Sequence, residues 1–214
     1  MDAARSESWL RWSVAARPLA RQSVSGDVPL VAPFFGGVLV AVVDGLGHGE
    51  EAVTAAQRAI TTLTANAQES VVFLLQCCHE ELKGTRGAVM SLASFQVHDG
   101  LMTWVGVGDV EGVLLRGSLE TGSAREILLL RGGVVGYQLP LVRATTLPVR
   151  PGDMLIFATD GIRSDFVQEP LLRNPLIRVA QDGPQQLADH ILRQYGKTTD
   201  DALVLVARYL GDSL

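Results

Sequence analysis

Six consecutive apolar residues, Val38-Leu39-Val40-Ala41-Val42-Val43, stop abruptly at Asp44-Gly45-Leu46-Gly47-His48-Gly49. A β-branched run without polar alternation fits a strand buried on both faces, so it belongs inside a covered sheet. The acidic residue at its end then lies on the rim of that sheet, where a ligand can reach it. The glycines that follow carry no side chain and let backbone groups approach that ligand closely. Gly45, Gly47 and Gly49 are spaced by two and no βαβ unit follows, so the dinucleotide fingerprint is not met. The Gly-Lys-Ser/Thr of a phosphate-binding P-loop is absent too.

Further strands are predicted at residues 88–97 and 101–107, on either side of the hairpin signal His98-Asp99-Gly100. Others are predicted at 112–116, 125–130, 141–147, 154–159 and 202–209. The stretch at 154–159 follows the turn Arg150-Pro151-Gly152-Asp153. Apolar residues recur at helical spacing over 50–65, 70–83 and 184–195. Gly84 and Gly196 stand as stops, and Pro184 sits at a start. Strands, two helices, a long run of strands, a helix and a strand do not alternate as a parallel α/β sheet does. The order reads as α+β: antiparallel sheets with helices segregated onto their outer faces.

The chain has 214 residues, 47% of them hydrophobic and 19% charged, which suffices for one domain with a sizeable core. No repeat, low-complexity tract or linker divides it, so residues 1–214 read as a single domain. A net charge of −5 argues against nucleic acid as a partner, because phosphate neutralisation calls for basic surfaces. The apolar runs fall far short of the ~20 residues that span a bilayer, so no membrane is expected. Met1-Asp2-Ala3-Ala4-Arg5-Ser6-Glu7-Ser8 is not a secretory signal. The two cysteines, Cys77 and Cys78, are adjacent, which supports neither a disulfide framework nor a zinc cage. They read as thiols at a helix packing surface of a cytoplasmic protein.

Three more acidic turns share the logic of Asp44-Gly45. They are Thr159-Asp160-Gly161 at the end of a strand, Asp200-Asp201 before one, and Ser25-Gly26-Asp27 upstream of the first buried strand. Carboxylates gathered without cations repel one another unless metal ions neutralise them. All-oxygen ligands suit hard ions such as Mg²⁺ or Mn²⁺. From the residues alone, the reading is a hard-metal hydrolase acting on phosphate.

These segments, with Gly106-Val107-Gly108-Asp109 and Pro151-Gly152-Asp153, occur in the order found in the PPM family of metal-dependent protein serine/threonine phosphatases. The sequence resembles the bacterial branch of that family, which controls sporulation and general-stress sigma factors. The matching pieces span residues 25 to 201. The resemblance implies an αββα sandwich of two antiparallel sheets with helices outside, and a centre of two Mn²⁺ or Mg²⁺ ions at one end. Asp44 would bridge both ions and the Gly45 carbonyl would bind one. Asp160 and Asp200 would ligate one ion, and Asp27 would act directly or through water. Asp44 and Asp160 would carry catalysis. Asp200 is assigned over Asp201 because the family's ligand is the first residue of the pair, with Asp201 as the substitute. The implied reaction is hydrolysis of phosphoserine and phosphothreonine by a metal-activated water. The implied partners are phosphorylated regulatory proteins of the stressosome, including STAS-domain scaffold proteins.

The chain departs from many relatives at Leu203 and at Arg86-Gly87, where they carry Thr; neither position is a ligand. Distant relatives hold the phosphate with an N-terminal Arg, for which Arg17 and Arg21 are the candidates. His48 is either a general acid for the leaving oxygen or a turn residue beside the site. His79, His98 and His190 read as structural or solvated, Trp9, Trp12 and Trp104 as strand packing, and Arg5, Arg11, Arg17 and Arg21, by their scatter, as a solvated face. Two rival functions are a catalytically silent binding module on the same fold and a two-metal nuclease. The acidic set at 27, 44, 160 and 200 opposes the first, and the lack of a basic stripe opposes the second.

Overall fold

A computed structural model describes residues 9–19, 24–118, 125–173 and 183–211. Among the described residues ten strands form two five-stranded antiparallel sheets. In chain order they are β1 (Leu10–Arg17), β2 (Asp27–Phe34), β3 (Gly37–Gly45), β4 (Ala88–Gln96), β5 (Leu101–Val107), β6 (Glu111–Leu115), β7 (Arg125–Ile127), β8 (Thr145–Pro148), β9 (Met154–Ala158) and β10 (Ala202–Tyr209). One sheet runs β1-β10-β9-β6-β7 and the other β2-β3-β4-β5-β8. Helices α1 (Glu50–Ala65) and α2 (Val71–Glu81) follow β3, and α3 (Pro184–Tyr195) precedes β10. A 3₁₀ segment, Ser164–Gln168, and a helical turn, Pro170–Arg173, lie between β9 and α3. Among the described residues no helix is long and apolar enough to cross a membrane.

Three apolar layers hold this arrangement together. Because side chains alternate along a strand, β3 sends Val38, Val40 and Val42 inward to meet Leu155, Phe157, Leu203 and Leu205 of the facing sheet. The opposite face of β3, with Leu39, Ala41 and Val43, packs on Ala55, Ala56, Ala59 and Leu63 of α1 and Leu74 and Leu75 of α2. The other sheet packs Ile156, Val204 and Val206 against Leu187, Ala188 and Ile191 of α3. β3 is therefore covered on both faces, as its unbroken apolar run predicts, and helix–sheet–sheet–helix layering results.

Two strands extend beyond the sequence expectation. β1 and β2 are both edge strands. Pro29 and Pro33 obscure β2 in the sequence, but an edge strand tolerates proline because one row of its N–H groups meets no partner. Conversely, the apolar stretch from residue 141 joins the ladder only at Thr145. Leu139, Val142 and Ala144 pack against the helical side of the sheet instead.

The register gathers strand ends at one pole. Asp27 at the start of β2 pairs with Asp44 near the end of β3. Gly45 pairs with Ala88 at the start of β4, and Met90 with Val107 at the end of β5. In the facing sheet, Ala158 at the end of β9 lies between Glu111 of β6 and Val204 of β10.

Candidate metal centre

Asp27 and Asp44 face each other across the β2–β3 ladder, so their carboxylates belong to one sheet. Asp160 leaves the end of β9 and Asp200 precedes β10, both in the opposite sheet. Thr159 joins the two halves. Its buried hydroxyl donates to Asp27 Oδ2 at 2.7 Å and accepts the backbone N–H of Leu203 at 2.9 Å. The β9 end, the β10 start and the β2 start are thereby tied at one residue.

The electrostatics show how closely these acids are grouped. Burial, then the charges of Asp27, Asp160, Asp109 and Asp200, push the Asp44 carboxyl up to about 9. Burial also raises Asp27, to about 7. There the Thr159 hydroxyl pulls the other way, and Asp201, Asp160 and Asp200 add repulsion. Asp160 is raised as well by burial and by Asp200 and Asp109, against the opposing pull of Lys197 and the Gly161 N–H. Carboxylates held so near one another favour the protonated form unless positive charge intervenes. Among the described residues, no three His, Cys, Asp or Glu side chains converge tightly enough to hold an ion by themselves. The donor chemistry fits hard divalent cations that keep part of their water shell and take the rest from carboxylates.

Asp200 and Asp201 occupy different environments. Asp201 is buried, and its carboxylate accepts the N–H of Gly26 at 2.9 Å and of Leu19 at 2.6 Å. It fastens the segment leading into Asp27. Asp200 is half-buried, accepts only the N–H of Asp201 at 2.9 Å among the bonds observed, and contributes repulsion to Asp27, Asp44 and Asp160.

Gly45 is boxed in by α1: a Cβ there would stand 2.0 Å from the Ala52 carbonyl oxygen. Its N–H donates to Gly26 O at 3.1 Å, and the next N–H, of Leu46, donates to Gly87 O at 3.1 Å. These bonds fix the loop that carries the Gly45 carbonyl. His48 is exposed on the same loop. Arg17 at the end of β1 donates to the carbonyl of Lys197, whose own Nζ donates to Asp160 O at 2.6 Å. Arg21 and Arg5 lie outside the described residues.

Asp109 is a member of this acidic group that the sequence reading did not assign as a site residue. Its charge bears on Asp44, Asp160 and Glu111. The available signal was Gly108-Asp109 directly after a strand, the pattern already seen at the other rim acids. Asp153, by contrast, is at the opposite pole. It accepts from Gly117 N at 2.7 Å and Arg116 Nη1 at 3.1 Å and pins a turn there. His79 accepts the Gly136 N–H at Nδ1, Trp104 is buried between the sheets, and Trp12 is half-exposed on edge strand β1. Cys77 and Cys78 are free thiols on α2. Cys78 is buried, with its pKa pushed up to about 12 mainly by burial.

The stage II sporulation protein E family profile matches residues 36–210. No curated protein sequence matches the chain. Several solved structures do. One, described in work on the bacterial stressosome as a modular system adapted to control secondary-messenger signalling, is 31% identical; it covers 93% of this chain and 99% of its own, with a TM-score of 0.80. RsbX in complex with magnesium is 19% identical over 94% of this chain and 96% of its own, also at 0.80. The PP2C phosphatase domain of SpoIIE from Bacillus subtilis, with a fragment of its regulatory domain, is 19% identical. It covers 96% of this chain and 64% of that one at a TM-score of 0.72.

Proposed function

The chain belongs to the stage II sporulation protein E family, whose fold is that of the PP2C phosphatases, and on that premise we propose that it hydrolyses phosphoserine and phosphothreonine on stress-signalling regulatory proteins. The observation that carries the reading is the Asp27–Asp44 pair, with Asp160 and Asp200 brought to it from the opposite sheet. Asp44, Asp27, the Gly45 carbonyl, Asp160 and Asp200 would be the residues that hold two Mn²⁺ or Mg²⁺ ions. When bound, such ions acidify the attacking water and supply positive charge to the phosphoryl oxygens.

The remaining work falls to the chain itself. Thr159 holds the Asp27 carboxylate through its hydroxyl, and Asp201 holds the backbone leading into it. Lys197 steadies the Asp160 turn through two carbonyls: its Nζ donates to Asp160 O and its N–H to Gly161 O at 2.7 Å. No side chain need be covalently modified for a water to displace phosphate in line.

The substrate class we favour is the phosphorylated STAS-domain scaffold proteins of a stressosome, met in the cytoplasm by residues 1–214 acting as one phosphatase domain. The 31% identity to a protein from stressosome work supports this choice. The test has two steps. An aryl phosphate is incubated with Mn²⁺, with Mg²⁺ and with chelator; metal-dependent turnover is expected, and its absence favours the silent binding module. Phosphorylated STAS-domain proteins are then offered, with metal-dependent loss of phosphate as the expected result.

A further inference from the structure

Beside the acidic rim lies a surface of opposite character. The turn at residues 84–87 is joined to the Asp44 loop by the Leu46 N–H bond to Gly87 O. On one flank, Arg86 ion-pairs with Glu51 of α1 and lies across Gly47, where a Cβ would stand 2.5 Å from its Nη1. Arg58, two turns further along the same face of α1, shares with Arg86 a groove of ≈ 570 Å³. Among the described residues Arg58 has no ion-pair partner, although Glu81 lines an adjoining groove with it.

On the other flank, a tight hairpin returns from Val134 to Gln138, with reciprocal backbone bonds of 2.9 and 2.8 Å. It is held to the rim by the paired N–H···O bonds of Val135 with Ala88, at 2.9 and 3.0 Å, and to α2 by the Gly136 N–H bond to His79. At its tip Tyr137 is 83% exposed. Between Ile127 and Ala144 the chain carries Arg131 and Arg143 and no carboxylate, although its net charge is −5. An exposed tyrosine fixed by its hairpin on a stretch without carboxylates has the character of an interface anchor rather than of ordinary surface.

We propose that this face, with Arg58 and Arg86 on one side of the 84–87 turn and Tyr137 on the other, docks an acidic segment flanking the phosphorylated residue of the protein substrate. The inference rests on the phosphatase reading for its substrate. Charge complementarity selects the occupant: Glu51 is paired with Arg86, which leaves the Arg58 guanidinium as the groove's uncompensated charge. From Glu51 to Arg58 the helix rises about 10 Å, the length of roughly three extended residues. A peptide leaving the rim along α1 would bring its third neighbour to Arg58.

The test uses the full chain and two fluorescein-labelled phosphoserine peptides, one flanked by aspartates and one by serines. Binding is followed by anisotropy at low and high salt. The acidic peptide is expected to bind about fivefold more tightly, the scale of one exposed ion pair, and the difference should fade with salt. Arg58→Glu should abolish the discrimination, and Tyr137→Ser should weaken both peptides. Equal affinity of the wild-type chain for the two peptides, or discrimination unchanged in Arg58→Glu, overturns the proposal. Metal-dependent aryl phosphate turnover is measured in parallel and should be unchanged in both variants. If the wild-type chain shows no such turnover, the phosphatase reading fails while the binding data still decide the docking face.

Discussion

Thr159 donates its hydroxyl proton to Asp27 across 132 positions of sequence and across the two sheets of the sandwich. The same oxygen accepts the Leu203 N–H, so one buried side chain satisfies a carboxylate and a backbone donor together. Replacing it by valine keeps the shape and removes both bonds. Thr159→Val should destabilise the protein by about 1–3 kcal/mol through the stranded Leu203 N–H. It should also weaken divalent-ion binding by releasing Asp27. Denaturant unfolding and metal titration calorimetry check the two effects separately; unchanged metal affinity would remove Thr159 from any orienting role.

Asp44→Asn should abolish metal-dependent turnover and leave the fold intact. A neutral amide does not hold two dications, yet it relieves the repulsion that Asp44 feels from four other acids. Without metal the variant should melt no lower than the parent. Phosphatase rate and circular dichroism on the same sample decide it, and near-parental activity would rule Asp44 out of the centre.

The raised carboxyls set a pH dependence for the metal-free protein. Asp44 and Asp27 titrate at about 9 and about 7 when folded, against 3.8 for an unperturbed aspartate. Between those limits the folded state binds more protons than the unfolded state, so stability falls as pH rises. The contribution is fully present below pH 4, falls steadily above it, and is spent for Asp27 near 7 and for Asp44 near 9. Melting temperatures in EDTA should drop from pH 5 to pH 8 more steeply than those of Asp44→Asn. Saturating Mn²⁺ should flatten the parental curve.

Asp200→Ala and Asp201→Ala should fail differently. Asp200 makes one local bond and faces the other acids, so its loss should lower metal affinity with little change in stability. Asp201 holds Leu19 and Gly26, so its loss should destabilise the protein by about 1–3 kcal/mol. Calorimetric metal titration of both variants reads the first difference and urea unfolding the second. A larger metal defect in Asp201→Ala would move the ligand by one residue.

Chelation should stop catalysis without unfolding the chain. Three apolar clusters fill the space between and outside the two sheets, and none of them contains an ionic group. EDTA should abolish turnover and leave the far-UV spectrum in place, with Mn²⁺ or Mg²⁺ restoring the rate. Collapse of that spectrum at room temperature would make the ions structural.

The strongly periodic elements were legible in sequence: α1, α3, β5 and β10 lie where their patterns place them. The edges were not. β2 hides behind Pro29 and Pro33, and β1 mixes Arg11, Ser13 and Arg17 into a strand whose partner, β10, is distant in sequence. The rim aspartates announced themselves because each ends or begins a strand beside glycine or another aspartate. What sequence does not carry is the division of labour between Asp200 and Asp201. That depends on which carboxylate meets the backbone at Gly26, a contact spanning 175 positions.

Because Asp27 and Asp44 ride on one sheet while Asp160 and Asp200 ride on the other, the gap between them is a gauge of sandwich thickness. That thickness is set by Phe95, Phe157, Leu205 and their neighbours, deep in the filling. Thinning the filling draws the two halves of the carboxylate ring together, and thickening it spreads them. Because that filling is close-packed and resists compression, it holds the two halves of the acidic rim at one spacing.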